Sequence, residues 1–303
     1  MNQKDYDELA TRLGSHPDFR VIRRLDPART RPTLEGSRVR RAAIVDTETT
    51  GTDATRDRII ELAVVVFEYD AESGEIGRVL DSYDGLEDPG FPIPPESTAI
   101  HGITDAMVAG QKLDDARVES LLKQAGLVIA HNARFDRGFL ESRLPVFGGV
   151  SWGCSWQEVP WSAAGIESTK LEYLAYRHGF FYEGHRAEID CLALLEVLGQ
   201  PLADTGGTAL KALLESARKP SYRLWANNSP FESKDVLKQR GYRWVPEKRM
   251  WYGEIASREA VEAELAWLKD SVYGGKSVAL DLEEFDAKSR YSERAGKPEK
   301  VRT

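Results

Sequence analysis

The sequence predicts an α/β protein built around a mixed sheet, followed by a small α+β module. Three observations carry this. Three apolar, strand-length runs lie close together between residues 41 and 86. Helical periodicity then surrounds a further buried strand up to about residue 200, and a segment of about fifty residues dense in aromatic and basic side chains comes after it. At 303 residues, 41% hydrophobic and 30% charged, the chain is long enough for one large domain and a smaller one.

The elements follow in order. Residues 1–39 read as a lead-in, with KDYDELATRL a short helix, FRVIRRL a short strand and DPARTRPTLEGSR a loop. The main domain is expected over residues 40–218. RAAIVDT, RIIELAVVVFEYD and GRVLDSYDGL are strands, the last two joined by the turn YDAESGEI. PPESTAIHGITDAMVAG gives short helical turns and DARVESLLKQA a helix. GLVIAH is a buried strand, and NARFDRGFLESRL a helix with Asn132 as its N-cap. TKLEYLAYRHG and HRAEIDCLALLEVLG are helices with apolar residues at i, i+3, i+4 and i+7. ADTGGT, residues 203–208, opens a less regular stretch that ends the domain near 218. Strand, helix, strand, turn, strand and helix fill residues 221–272. Residues 273–303, with GGK, AGKPEK and alternating charge, are expected to be a flexible tail.

Composition narrows the class. A net charge of −8 argues against general polyanion binding by the whole surface. The charge is uneven: residues 40–200 hold 14 Lys and Arg against 27 Asp and Glu, whereas residues 221–252 hold 7 against 3. Cys154 and Cys191 have no paired spacing, which suits a reducing compartment. No apolar run approaches about 18 residues, so no membrane association is expected. The N-terminal residues are polar rather than a cationic stretch followed by an apolar core. No secretory signal is therefore expected, and the cytoplasm is the expected location.

The chemistry centres on acids at the ends of apolar elements. RAAIVDTETTGTD runs a buried strand into Asp46 and Glu48, whose side chains at i and i+2 stand on one side of the sheet. Like charges held that close repel unless something neutralises them. HNARFD adds Asp136 at a helix start, and GHRAEID adds His185 and Asp190. Four acids converging in a cleft would be destabilising without a metal, and all-oxygen ligation suits Mg²⁺ or Mn²⁺ rather than a soft ion. Two such ions roughly 3.5–4 Å apart are suited to in-line attack on a phosphodiester. His185, with an ordinary pKa near neutrality, is the natural general base. Helix positions five apart differ by about 140°, so His185 is expected on the loop before the Asp190 helix, with Gly184 giving it freedom to swing in.

DTETTG, IHGIT, HNARFD and HRAEID, in this order over residues 40–200, resemble the successive motifs of the DEDDh 3′→5′ exonucleases. That RNase H-like family contains the proofreading epsilon subunit of bacterial DNA polymerase III. The resemblance implies a five-stranded mixed sheet flanked by helices and a Mg²⁺-dependent enzyme using two ions, for which Mn²⁺ substitutes. It implies that Asp46 bridges both metals, that Glu48 and Asp190 complete the first shell, that Asp136 holds the second ion, and that His185 activates the water. Substrate contacts implied at the 3′-terminal nucleotide fall on Thr47, Thr49, Thr50, Gly51, His101, Asn132 and Phe135. Phe135 reads from its context as core packing, and Glu61 in IIEL as structural. The implied partner is the 3′ end of single-stranded DNA, within a polymerase or repair complex. No clamp-binding peptide appears in the tail, which departs from a stable place in a replicative polymerase.

Two aromatic-rich stretches remain. SWGCSWQEVPWSAAGIESTK, residues 151–170, holds rings suited to stacking on unpaired bases or to packing, and packing is the favoured reading. Residues 221–270 hold Trp225, Trp244, Trp251 and Trp267, with Lys234, Lys238, Arg240, Arg243, Lys248 and Arg249 interleaved. Trp244 and Trp251 are expected in the small core, and the cations suit a face for single-stranded nucleic acid. The leading functional expectation is a 3′→5′ exodeoxyribonuclease. An exoribonuclease of the RNase T or oligoribonuclease kind is the alternative. A nucleic-acid-binding protein with a vestigial fold ranks last, because all four acids and the histidine are intact.

Overall fold

The computed structural model describes residues 2–203 and 206–303; Asp204 and Thr205, within the ADTGGT stretch, lie outside the described residues. The first sheet has five strands: β1 (Val39–Thr49), β2 (Ile59–Asp70), β3 (Ile76–Leu86), β4 (Val128–Ala130) and β5 (Trp152–Cys154). Their order is β3-β2-β1-β4-β5, with β1, β2 and β3 antiparallel and β4 and β5 parallel to β1. This is the mixed, helix-flanked, RNase H-like sheet expected.

Burial explains the strand chemistry. β2 is apolar nearly throughout because both its faces are covered. Ala42 and Ile44 of β1 join the core beneath the helices Leu171–Arg177, Ala187–Leu198 and Ala209–Ala217. Ala43 and Val45 join the opposite core, beneath Asp115–Leu122 and Ala133–Arg143. The same alternation carries Asp46 and Glu48 toward the Ala187–Leu198 helix and Thr47 toward the Ala133–Arg143 helix.

β5 lies inside the Trp-rich stretch that reads from sequence as a connection. Trp152 and Trp161 are buried and donate to the carbonyls of Phe147 (3.1 Å) and Ser155 (2.7 Å), so two of the three rings pack; Trp156 is 43% exposed. The lead-in contains the expected helix, Gln3–Gly14, capped reciprocally by Asn2 and Asp5. Its expected strand is a two-residue parallel bridge, Arg23–Arg24 to Phe180–Phe181.

The second sheet comprises β6 (Ser221–Ala226), β7 (Arg243–Val245), β8 (Met250–Ile255), β9 (Ala279–Phe285) and β10 (Lys297–Arg302). It is antiparallel throughout, in the order β7-β8-β6-β9-β10. The flexible tail expected over residues 273–303 is therefore corrected. Leu280, Leu282 and Phe285 of β9 are buried, and β9 pairs with β6 along five positions. Charge hid both strands: β9 alternates acids with its apolar residues, and the edge strand β10 is exposed on nearly every residue.

A second correction concerns Trp244, expected in the core. It sits on the edge strand β7, 46% exposed, against half-buried Trp251 at 5.5 Å between ring centroids. Tyr222, Leu224, Leu265, Leu268, Leu280 and Leu282 fill the small core instead. Trp225 is buried with its Nε1 donating to Glu283 (2.8 Å).

Residues 286–294 latch the two modules together. Fully buried Arg137 donates to Glu141 and to the carbonyls of Lys288 and Arg290, each at 2.6 Å. Arg290 in turn donates to Glu158 (2.8 Å) and Ser221 (3.0 Å), and the Tyr291 hydroxyl donates to Glu158 (2.8 Å). Replacing Arg137 by Met leaves the Arg290 carbonyl without its donor and removes one donor each from the Lys288 carbonyl and Glu141, which Arg294 and Ser292 still reach. The expected loss is about 1–3 kcal/mol of stability, read by chemical denaturation of the full chain; a loss under about 0.5 kcal/mol would show that the latch is unimportant.

Candidate active site

The acids meet where β1 leaves the sheet. One carboxylate oxygen from each of Asp46, Glu48 and Asp190 lies within 4.8 Å of the other two. Asp190 arrives on the first turn of the helix Ala187–Leu198, where it accepts the Arg186 amide (3.1 Å). Glu61, paired across the sheet with Glu48, fixes that helix start. Fully buried, it accepts from Arg186 Nε (2.9 Å) and Nη2 (2.7 Å) and from the Ala187 amide (2.9 Å), one of the donors a helix N-terminus leaves unmet. Its expected structural role is what the geometry shows.

Asp136 approaches from the other face of the sheet. It is buried in the first turn of the helix Ala133–Arg143 and accepts from the Thr47 hydroxyl (2.9 Å). It is not one of the three acids within 4.8 Å, but its charge reaches them: Asp46 is pushed well above the carboxylate range, first by burial and then by Asp136, Asp190, Glu48 and Glu61. Burial, then Asp190, Glu61 and Asp136, lifts Glu48 to about 8. Burial lifts Asp136 to about 7 against the Thr47 hydrogen bond, and raises Asp190 as well.

Such a pocket is intolerant of its own charge and rich in hard oxygen donors, and it fits a divalent cation. The cysteines do not compete for that role. Cys154 and Cys191 are buried, and burial raises both thiols, Cys154 to about 11, so neither offers a thiolate near neutral pH.

The expected substrate residues divide. Thr47 is buried with its hydroxyl on Asp136, on the face of the strand opposite Asp46. Thr49 donates to the Gly51 carbonyl (2.6 Å), and the Thr50 hydroxyl, on a residue 1% exposed, is tied to Asp57 (3.2 Å) and the Arg58 amide (3.0 Å). Both hydroxyls thus build the loop after β1, as does the Thr50 backbone, which donates to the Arg58 carbonyl (2.9 Å) and accepts from Ser97 (2.8 Å). A Cβ at Gly51 would fall 2.5 Å from the Asp57 carboxylate, which explains the glycine. His101 is buried with Nδ1 accepting from Ile103 (3.0 Å) and Nε2 unpartnered. Asn132 occupies the N-cap position without a side-chain capping bond, and half-buried Phe135 packs on Phe139 at 5.0 Å.

His185 is exposed, one residue before the helix N-cap Arg186, at φ +66°. His185 itself adopts the left-handed conformation, where the backbone freedom was expected at Gly184. His131 is structural: Nε2 bonds the Thr169 carbonyl (2.7 Å), so Nδ1 accepts from Ser155 (2.8 Å). The sequence reading passed over Asp84 on β3, whose pKa rises to about 6 through burial and Glu61, and Tyr182, whose buried hydroxyl is raised by desolvation and Asp190. Neither belongs to a motif; only the pairing of β3 with β2 and the approach of the Asp190 helix bring them in.

A mixed sheet with acids converging at the end of its first strand defines an RNase H-like nuclease site, carried by a hydrolase. The family model for exonucleases of the RNase T family matches residues 43–198, and the chain belongs to that family, as a DEDDh-type exonuclease. It is similar to the DNA polymerase III epsilon subunit of Treponema pallidum, 30% identical over 167 residues, covering 52% of this chain and 74% of that one. It is also 31% identical over 161 residues to the PolC-type DNA polymerase III of Clostridium perfringens, covering 51% of this chain but only 11% of that protein. Among solved structures, exonuclease X in complex with 5′ overhanging duplex DNA aligns with a TM-score of 0.41 at 26% identity, over 57% of this chain and 97% of that one.

The raised acids set the pH behaviour of the metal-free protein. Glu48 holds its proton to about pH 8 when folded but releases it near its ordinary 4.5 when unfolded. The folded state binds more protons, so stability falls as pH rises between those values. In EDTA, Glu48→Gln is expected to melt higher than wild type at pH 8, with the gap narrowing toward pH 5. Mg²⁺ should raise the wild-type melting temperature more at pH 8 than at pH 6, since metal and proton compete for the carboxylates. Equal gaps at all pH values would contradict this assignment.

Proposed function

We propose that the domain removes nucleoside monophosphates from the 3′ end of DNA in a Mg²⁺-dependent hydrolysis. The observation that carries this reading is the convergence of Asp46, Glu48 and Asp190 oxygens within 4.8 Å, beside buried Asp136. Asp46, Glu48 and Asp190 would hold one ion, with Asp46 shared and Asp136 serving a second; Mn²⁺ would substitute. Bound there, the ions would acidify the attacking water and stabilise the leaving oxygen. His185, exposed on its loop within electrostatic reach of Asp190, would take the proton from that water. The unpartnered Nε2 of His101, beside the loop of residues 49–51, would help position the terminal nucleotide.

Polymerase III relatives support DNA as substrate, and the RNase T family model supports RNA as the second reading. In the second module, Trp244 and Phe231 (75% exposed, with Lys234 Nζ 4.4 Å from its ring centroid) would offer stacking surfaces to unpaired bases. Among the described residues no helix is long and apolar enough to cross a membrane.

The test is release of label from 3′- and 5′-labelled DNA and RNA oligomers, with and without EDTA. Loss of the 3′ label first, only with Mg²⁺ or Mn²⁺ and faster from DNA, is expected. Asp46→Ala and Asp190→Ala should lower the rate by roughly 10³-fold or more, and His185→Ala by about 10²–10⁴-fold. Release in EDTA, or loss of the 5′ label first, would overturn the reading.

A further inference from the structure

A cavity of about 570 Å³ opens at the seam between the two modules, within the size range of ligand sites. Arg134 of the helix Ala133–Arg143, Lys211, Arg223 of β6, Glu254 of β8 and Phe285 of β9 are among its walls. Positions two apart on a helix point about 200° apart, so Arg134 faces the seam while Asp136 faces Thr47. The cavity is therefore separate from the acid pocket.

Two of its arginines, Arg134 and Arg223, are poorly satisfied. Arg223 Nε is buried with no hydrogen-bond partner, and its nearest carboxylates, Glu254 and Glu283, stand off at 3.8 and 3.9 Å. The guanidinium lies over the rings of Tyr252 (4.8 Å) and Phe285 (4.9 Å). Arg134 is bound to Glu254 through Nη2, but its Nε is likewise buried and unpartnered. The lining carries five cations against three carboxylates. Of these carboxylates, Glu254 is engaged by Arg134, and Glu158 by Arg290 and Tyr291. Lys211 makes no ion pair among the described residues. Buried donors in native proteins are nearly always paired, so unmet guanidinium N–H groups at a basic cavity call for an acceptor.

We propose that the seam cavity is a second binding site, for the phosphate of a nucleotide. Guanidinium forks match phosphate geometry, and the Phe285 ring beside Arg223 suits the flat body of a nucleotide. The anion site stands on the cavity and its arginines; its assignment to a nucleotide rests on the exonuclease reading above. Two sources carry this chemistry: a free nucleoside monophosphate, and an internal phosphate of the bound strand.

Calorimetric titration of the full chain in EDTA with dTMP and with a (dT)12 oligomer distinguishes them. Arg223→Gln is expected to weaken binding about tenfold or more, the loss of a charge-assisted hydrogen bond, and Lys211→Gln, on a half-buried residue with no ion pair, to weaken it several-fold. Loss for dTMP assigns the site to free nucleotide; loss for (dT)12 alone assigns it to the strand. Affinities for both probes unchanged in both variants, or no binding by wild type, overturn the proposal. If the labelled-oligomer assay shows no hydrolysis while dTMP binding still depends on Arg223, the exonuclease reading fails and the phosphate site stands.

Discussion

Mutual repulsion among buried carboxylates is the constraint around which this molecule is arranged. Four acids share one field at the end of β1, and burial, rather than any one neighbour, is the main force opposing their ionisation. The fold does not relieve that repulsion by bringing cations into the pocket. Its nearby arginine, Arg186, is held by Glu61 behind the site, where it locks the helix that delivers Asp190. Thr47 similarly holds Asp136 from the opposite face. The scaffold fixes the acids in place and leaves their charge uncompensated, a state of readiness for divalent cations.

Much of this was legible in the chain. Strand alternation placed Asp46 and Glu48 together, and the buried run GLVIAH located the strand that leads to Asp136. Alternation also implies that Thr47 faces away from Asp46 and Glu48, and it meets Asp136 there. Asp84 and Tyr182 were invisible because they reach the pocket through strand pairing and helix approach, neither of which leaves a local signal.

The second module was misread where charge outweighed pattern. LDLEEF reads as solvated until β6 pairs along its edge and Leu280 and Leu282 enter the small core, and KPEKVR is an edge strand whose side chains are nearly all exposed. Trp244 shows the converse error. A large ring in a small module suggests core, but its strand is the sheet edge, where only Trp251 lies across from it.

Arg137 and Asp136 are adjacent in the chain, on neighbouring faces of one helical turn. One grips the carbonyls of residues 288 and 290; the other belongs to the acid pocket. The boundary that composition draws near residue 218 is therefore not a mechanical one. The segment joining the last two strands is thus anchored one residue away from an acid of the pocket.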